Sequence, residues 1–257
     1  MTPAYVEFLK HEIFKVTEYD QFELFFDAVR PFLEPCCGEV AIVERSYIYG
    51  GRSLFAPLVP AVARAVVIDF RTKSADKRSN FQGSWLERSG FDFPHATETV
   101  IDSGTGYRLS FNHLDSDSLL VPNVLHHCRD FPSMMSSMQA VMPSLRRVFV
   151  FDSYLREGHQ IPDDFCRYTP SALESVMRAL GFDKVTLRET GNIFDGLLYL
   201  ISQARWQLDN APELNDLRSS IDAIVPQLRL IRRDERYRSL GRPHASMSTA
   251  YAMTFER

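Results

Sequence analysis

Residues 65–70 read AVVIDF, apolar at every position except Asp69. A strand with one face in water alternates apolar and polar residues, so a run without alternation needs cover on both sides. A parallel sheet held between two helix layers supplies that cover, and the run therefore points to an α/β architecture. Other stretches agree. Val40 to Glu44, ETVIDS (98–103), SLLVPN (118–123) and RRVFVFDS (146–153) read as further strands, with Pro122 marking the end of the fourth. KVTLRET (184–190) and the terminal SMSTAYAMTFER bring the number to seven.

Helical spacing of apolar residues fills the intervals. Residues 5–15 and 18–33 form two N-terminal helices, with Thr17 as a cap and Asp20 three positions on. DFPSMMSSMQAVMPSL (130–145) is a crossover helix whose four methionines pack on the sheet. Thr169 before Pro170 starts another helix, which Gly181 stops. The expected fold is α/β: a doubly wound, mostly parallel seven-stranded sheet. Residues 1–34 are N-terminal helices and 35–257 the α/β domain, together one structural unit. The N-terminal helices are expected to cover the sheet edge or the ligand. Residues 71–96 are polar and aperiodic, a substrate-side loop or lid. Residues 204–242 are a charged helical segment in which Arg232, Arg233, Arg236 and Arg238 make a solvated face.

Composition narrows the partners. A net charge of -4 gives no electrostatic reason to bind nucleic acid. No apolar run reaches the roughly 20 residues of a membrane span, and the N-terminus lacks the pattern of a signal peptide. Cys36, Cys37, Cys128 and Cys166 include no CxxC pair and read as reduced, buried thiols of a cytoplasmic protein. Monomer and homo-oligomer both stay open.

The first strand runs into VERSYIYGGRS (43–53), an acidic residue followed by a glycine-bearing turn. Later the chain reads VPNVLHHCRDF, then a crossover helix and a strand, then Asp164, Arg167, Thr169, Leu173 and Gly181-Phe182 in the order DxxRxTxxxL…GF. From residue 35 onward this resembles the class I S-adenosylmethionine-dependent methyltransferases, most specifically in the second half. The resemblance implies a last strand that runs antiparallel, and S-adenosylmethionine as cofactor. It aligns the family pattern E/D-x-G-x-G-x-G with Glu44, Ser46, Ile48 and Gly50. Ser46 is a mild departure. Ile48 is a severe one, because a β-branched residue tolerates neither positive φ nor a crowded backbone. Gly50 and Gly51 keep freedom just before an expected next helix, whose amides can face a polar ligand.

The resemblance places the ribose-binding carboxylate at Asp69. A carboxylate suits two hydroxyls because it accepts two hydrogen bonds in fixed geometry. For adenine it points to Asp102, with Asp115 and Asp117 as rivals; Asn123, just past the fourth strand, completes the cofactor set. Methyl transfer to a hydroxyl requires alignment and removal of a proton, for which histidine is suited near neutral pH. His126 and His127 follow the fourth strand and His159 the fifth, on the edge where open α/β sheets build sites. His126 is the less favoured, being expected to turn toward the backbone. Asp163, Arg167 and Tyr168 fall on the acceptor side, with Arg167 pairing to a carboxylate. Asp152, His159, Asp163 and Asp164 are metal-ligand types, but the same segment resembles family members without a metal, and no metal is assigned. The reading adopted is a methyltransferase for a small-molecule or sugar-like acceptor, at oxygen. The alternative is a methyltransferase-fold binding or scaffold protein that has lost its cofactor, for which Ile48 argues. An enzyme of another class on the same fold is a third.

Overall fold

The structure is a computed structural model and describes residues 5–6, 9, 21–72, 90, 98–102, 107–155, 164–208, 211–234 and 248–257. Its helices are α1 (Gln21–Leu33), α2 (Phe131–Val141), α3 (Pro170–Ala179), α4 (Ile193–Leu208) and α5 (Asn215–Arg233). The strands are β1 (Glu39–Glu44), β2 (Arg64–Thr72), β3 (Glu98–Asp102) and β4 (Tyr107–Leu109). β5 (Ser116–Pro122), β6 (Arg147–Ser153), β7 (Lys184–Thr190) and β8 (Ala250–Glu256) follow.

All eight strands join one sheet in the order β4-β3-β2-β1-β5-β6-β8-β7. β1 pairs in parallel with β2 and β5, β2 with β3, and β5 with β6. β8 is antiparallel to both β6 and β7, as the family resemblance implies for the last strand. The sheet has one strand more than expected. β4 turns back against β3 over three residues, too few to leave a periodic signal in the sequence.

Strand alternation divides the core between two layers. Ala41, Val43, Ile68, Phe70, Leu119 and Val121 face Met134, Met135, Met138 and Met142, together with Leu173 and Met177 of α3. Those four methionines are buried, as expected of a crossover segment. On the other face Val40, Ile42, Val67 and Leu120 meet Phe25, Val29 and Phe32 of α1. The cap at Thr169 accepts the Ala172 N–H at 3.3 Å, and Gly181 ends the helix with φ 85°. Asp130 caps α2 by accepting the Ser133 N–H at 3.0 Å.

Of the first expected helix, only Tyr5, Val6 and Leu9 lie within the described residues, all helical. The second packs over β6, β8 and the edge strand β7. Phe25 reaches Phe55 and Phe151 with ring centroids 5.6 and 5.2 Å away, and the Tyr5 hydroxyl donates to the Leu54 carbonyl. The N-terminal layer thus grips the segment that follows β1. That segment contains no α-helix, contrary to expectation. It carries 3-10 turns at Ser46–Tyr49 and Ala56–Leu58. Pro57 and Pro60 stand in the same stretch, and a second proline three residues on removes the N–H that continuation needs.

Cysteine placement departs from the expected pattern. Cys36 and Cys128 are buried, but Cys37 is exposed and Cys166 half-buried. No described helix is long and apolar enough to cross a membrane.

Candidate functional site

The carboxyl ends of β1 and β2 meet in register, with Glu44 opposite Asp69. Both side chains are buried. One Glu44 oxygen accepts the Leu54 N–H at 3.1 Å. Burial pushes the Glu44 carboxyl up to about 8, against the lowering effect of Ser53 and Leu54. At neutral pH it is largely protonated. Asp69 is engaged at both oxygens: Oδ1 accepts the Tyr47 N–H at 2.9 Å, and Oδ2 is paired with Arg71 Nε. The guanidinium groups of Arg45 and Arg71 lie 4.9 and 5.9 Å from the centre of the Tyr47 ring.

Ile48 explains the local path. Its position falls within the 3-10 turn Ser46–Tyr49, which uses negative φ, so no β-branched residue is forced into the left-handed region. The positive φ values move to Gly50 and Gly51, at 72° and 79°. The turn closes with the Gly51 N–H donating to the Ser46 carbonyl at 2.9 Å. Three polar atoms here are buried without a hydrogen-bond partner among the described residues: Glu44 Oε1, Ser46 Oγ and Tyr47 OH. An unmet buried group costs about 1–3 kcal/mol, so three in four consecutive residues mark a place with capacity for a polar ligand.

The second half of the edge lies beyond β5 and β6. Asn123 follows β5 with φ 54°, left-handed for a non-glycine, and its N–H donates to the Phe151 carbonyl at 2.7 Å. Leu125–His127 form a 3-10 turn that brings His126 against the end of β6. The His126 N–H and its ring Nδ1 both contact Asp152, each at 3.1 Å. His127 lies beside it, ring centroids 4.0 Å apart, and both histidines are buried. Asp152 thus fixes the orientation of the His126 ring through Nδ1.

Residues 164–168 are laid across this pair. The Phe165 N–H donates to the His126 carbonyl at 2.8 Å. Arg167 pairs with Asp164 through two nitrogens, one of them at 3.0 Å, which pushes the guanidinium further up. The Tyr168 hydroxyl accepts the Phe131 N–H at 3.0 Å, and its carbonyl accepts the Tyr251 hydroxyl at 2.9 Å. Burial pushes the Cys166 thiol and the Tyr168 and Tyr251 phenols up. Raised in this way, the three are disfavoured as bases near neutral pH.

The expected residues thus fall into separate groups. Glu44, Ser46, Gly50, Gly51 and Asp69 gather at β1 and β2; Asn123, His126, His127, Arg167 and Tyr168 gather beyond β5 and β6. Asp102 ends β3 opposite Tyr107; its side chain, like His159 and Asp163, lies outside the described residues, as do residues 73–89 and 91–96 of the expected lid. Asp115 and Asp117 are unsuitable for an adenine contact, because they stand at the start of β5, on the opposite edge of the sheet. Tyr47, Arg71 and the role of Asp152 as holder of His126 were not read from the sequence. An aspartate at the end of a strand next to a histidine turn is the only signal that pointed there. Among the described residues no cluster of His, Cys, Asp and Glu is arranged to hold a metal ion.

No protein-family model matches the chain, and no curated protein matches it. Solved structures similar in fold include phosphoethanolamine N-methyltransferase 2 from Haemonchus contortus in complex with S-adenosyl-L-methionine. That match has 11% identity and a TM-score of 0.47, covering 98% of this chain and 60% of that one. A SAM-dependent methyltransferase from Archaeoglobus fulgidus matches at 12% identity over 98% of this chain and 99% of that one, TM-score 0.46. One from Aquifex aeolicus matches at 13% identity over 74% and 94%, TM-score 0.44. This chain spans 60% of the length of the Haemonchus protein.

Proposed function

We propose that this chain is an S-adenosylmethionine-dependent methyltransferase acting on a small-molecule or sugar-like acceptor, at oxygen. The observation that carries the reading is the unmet polar capacity of Glu44 Oε1, Ser46 Oγ and Tyr47 OH at the carboxyl end of β1. It lies where open α/β sheets take their ligands, in a sheet whose last strand is antiparallel between β6 and β7. Glu44, Ser46, Gly50, Gly51, Asp69, Asp102 and Asn123 would hold the cofactor, which supplies an electrophilic methyl group on a sulfonium sulfur. The Tyr47 N–H and the Arg71 guanidinium already take one acceptor site on each Asp69 oxygen, so a ribose would share that carboxylate with them or displace one.

The remaining chemistry belongs to the other half of the edge. Asp152 fixes the His126 ring, and His126 or its neighbour His127 accepts the proton of the acceptor hydroxyl. His159 is a further base candidate from the loop after β6. Asp163, Arg167 and Tyr168 frame the acceptor side, Arg167 through its pair with Asp164. Protein enclosure of both histidines limits proton exchange with bulk water once an acceptor is bound.

A second reading has its own observation. Asp69 is satisfied at both oxygens within the chain, which suits a binding or scaffold protein whose cofactor loop has closed on itself. Calorimetric titration with S-adenosylmethionine and S-adenosylhomocysteine separates the two. Saturable one-to-one binding that is weakened in Asp69→Asn supports the enzyme. Heat-silent titration of a folded protein, with no shift in its melting temperature, supports the scaffold.

A further inference from the structure

α1 covers its face of the sheet unevenly. Over β6 it sets aromatic against aromatic, with ring centroids 5.2 Å apart for Phe25 and Phe151 and 5.5 Å for Phe32 and Phe149. Register and strand alternation put Ala252, Thr254 and Glu256 of β8 beside Phe151, Phe149 and Arg147 on that face. Beyond them stand Arg188, Thr186 and Lys184 of the edge strand β7. By that alternation β7 turns only polar side chains toward α1, while Ala28 and Ala252 are small. A hollow of about 190 Å³ remains there. Thr186 and Thr254 lie in its floor, Pro31 and Phe32 on its helix side, and Arg147, Arg188 and Glu256 around it.

Pro31 explains how one of these cations is held. A proline gives its helix no N–H, so the carbonyl four residues back loses its partner. That carbonyl belongs to Asp27, and Arg188 Nη1 donates to it at 3.0 Å. The bond fixes the guanidinium over the hollow and leaves its charge in place, because a carbonyl does not neutralise it. Arg147 is differently engaged. Its Nη2 donates to the Phe32 carbonyl at 2.6 Å, and its Nε lies 3.6 Å from Glu256 Oε1. Lys184, opposite Glu256 in the register, is a second cation beside that carboxylate. Glu256 is thereby matched, and Arg188 is the surplus positive charge of the hollow. Asp27, Arg30 and Glu34 on the flank of α1 are exposed, where water and salt screen them, and none makes an ion pair with Arg188.

The donors around the hollow define a ligand. Among the described residues, Arg188 Nε and Nη2 and the hydroxyls of Thr186 and Thr254 are not taken by another protein group. A guanidinium offers two N–H groups in a fixed fork to an oxyanion, and two hydroxyls on neighbouring strands bring the donors to four. Donors on both β7 and β8 suit a tetrahedral anion, which presents oxygens in more than one plane. We infer that the hollow between α1 and the β7–β8 pair is a second ligand site, which binds the phosphate group of a small molecule through Arg188, Thr186 and Thr254. It is distinct from the candidate site at the carboxyl edge: Asp152 alternates with Phe151 along β6 and so points to the opposite face of the sheet. The inference does not depend on the cofactor or the reaction.

Titration of the full chain with inorganic phosphate, at ionic strength held constant with chloride, tests it by calorimetry and by melting temperature. Saturable one-to-one binding with a millimolar dissociation constant and a rise in melting temperature are expected. Arg188 is exposed, so Arg188→Gln should fold normally and weaken binding about tenfold or more through the loss of charge-assisted bonds. Thr186→Val with Thr254→Val keeps the strand preference, and should weaken binding several-fold with unchanged far-UV circular dichroism. Arg178→Gln on α3, outside the hollow, should leave binding unchanged. Tighter binding of phenyl phosphate than of inorganic phosphate identifies the ligand as a phosphomonoester, and the reverse order identifies it as the free ion. Absence of saturation at about 50 mM phosphate overturns the inference. Binding that survives Arg188→Gln places the ion elsewhere, and an equal loss in Arg178→Gln marks a nonspecific charge effect; either result overturns it as well. Equal affinity for acetate overturns the assignment to phosphate.

Discussion

The two halves of the carboxyl edge use a buried aspartate in opposite ways. At β1 and β2, Asp69 accepts a backbone N–H from the very turn that would have to receive a cofactor, and Arg71 takes its second oxygen. Beyond β5 and β6, Asp152 accepts the N–H and the ring nitrogen of His126 and leaves the other ring nitrogen unclaimed by that carboxylate. One carboxylate closes its loop. The other orients an imidazole ring. A buried carboxylate must be satisfied in either case, so burial alone does not distinguish a binding group from a structural one; the identity of its partner does.

The largest effect should come from the histidine half. Once an acceptor is known, replacing the histidine base should lower turnover about 10²–10⁴-fold, with cofactor affinity unchanged in calorimetry. His126→Ala and His127→Ala are measured separately, and near-normal turnover in both would mean that neither is the base. Asp152→Ala leaves two His126 donors and the Ser153 N–H without their acceptor. It should destabilise the fold by about 1–3 kcal/mol in urea unfolding, since buried hydrogen-bond donors lose their acceptor. Asp152→Asn, which keeps one oxygen acceptor, should lose less stability while still lowering turnover.

Glu44 offers a test by pH alone. Its folded pKa of about 8 lies above the ordinary carboxylate range, so between about pH 5 and 8 the folded chain keeps a proton that the unfolded chain has released. The stability it contributes is complete below the unfolded pKa and is lost as pH rises toward 8, by roughly 1.4 kcal/mol per unit. Glu44→Gln should remove most of that slope in denaturant titrations at pH 5, 6.5 and 8. An unchanged slope would show that Glu44 stays ionised. Asp69→Asn should weaken S-adenosylhomocysteine binding by about 1.5–3 kcal/mol if a charge-assisted hydrogen bond to ribose is made. The smallest change is expected of Arg71→Gln, which frees one Asp69 oxygen. A several-fold gain in affinity supports competition for that carboxylate, whereas no gain would leave the Tyr47 N–H as the dominant closure.

Much of the fold was legible in sequence because burial imposes it locally. AVVIDF and RRVFVFDS lack alternation, so they had to be central strands. Thr169-Pro170 and Gly181 determined where α3 begins and ends through cap chemistry that needs no distant partner. β4 was not legible, since three residues carry no period. The missing helix after β1 was misread, although Pro57 and Pro60 were present to argue against it.

For the site, the residue types and their edge of the sheet follow from sequence order, because every parallel strand delivers its next loop to the same edge. His126 and His127 were placed at that edge by strand order, whereas Glu44, Asp69 and Asn123 were assigned by the family resemblance. Their pairings were decided by tertiary structure alone. Asp69 meets Tyr47 across 22 residues and His126 meets Asp152 across 26, and each contact depends on which strands lie adjacent and in what register. Local preference determines which segments become strands and helices, whereas hydrogen bonds between residues remote in the chain form only after the sheet has set their distance.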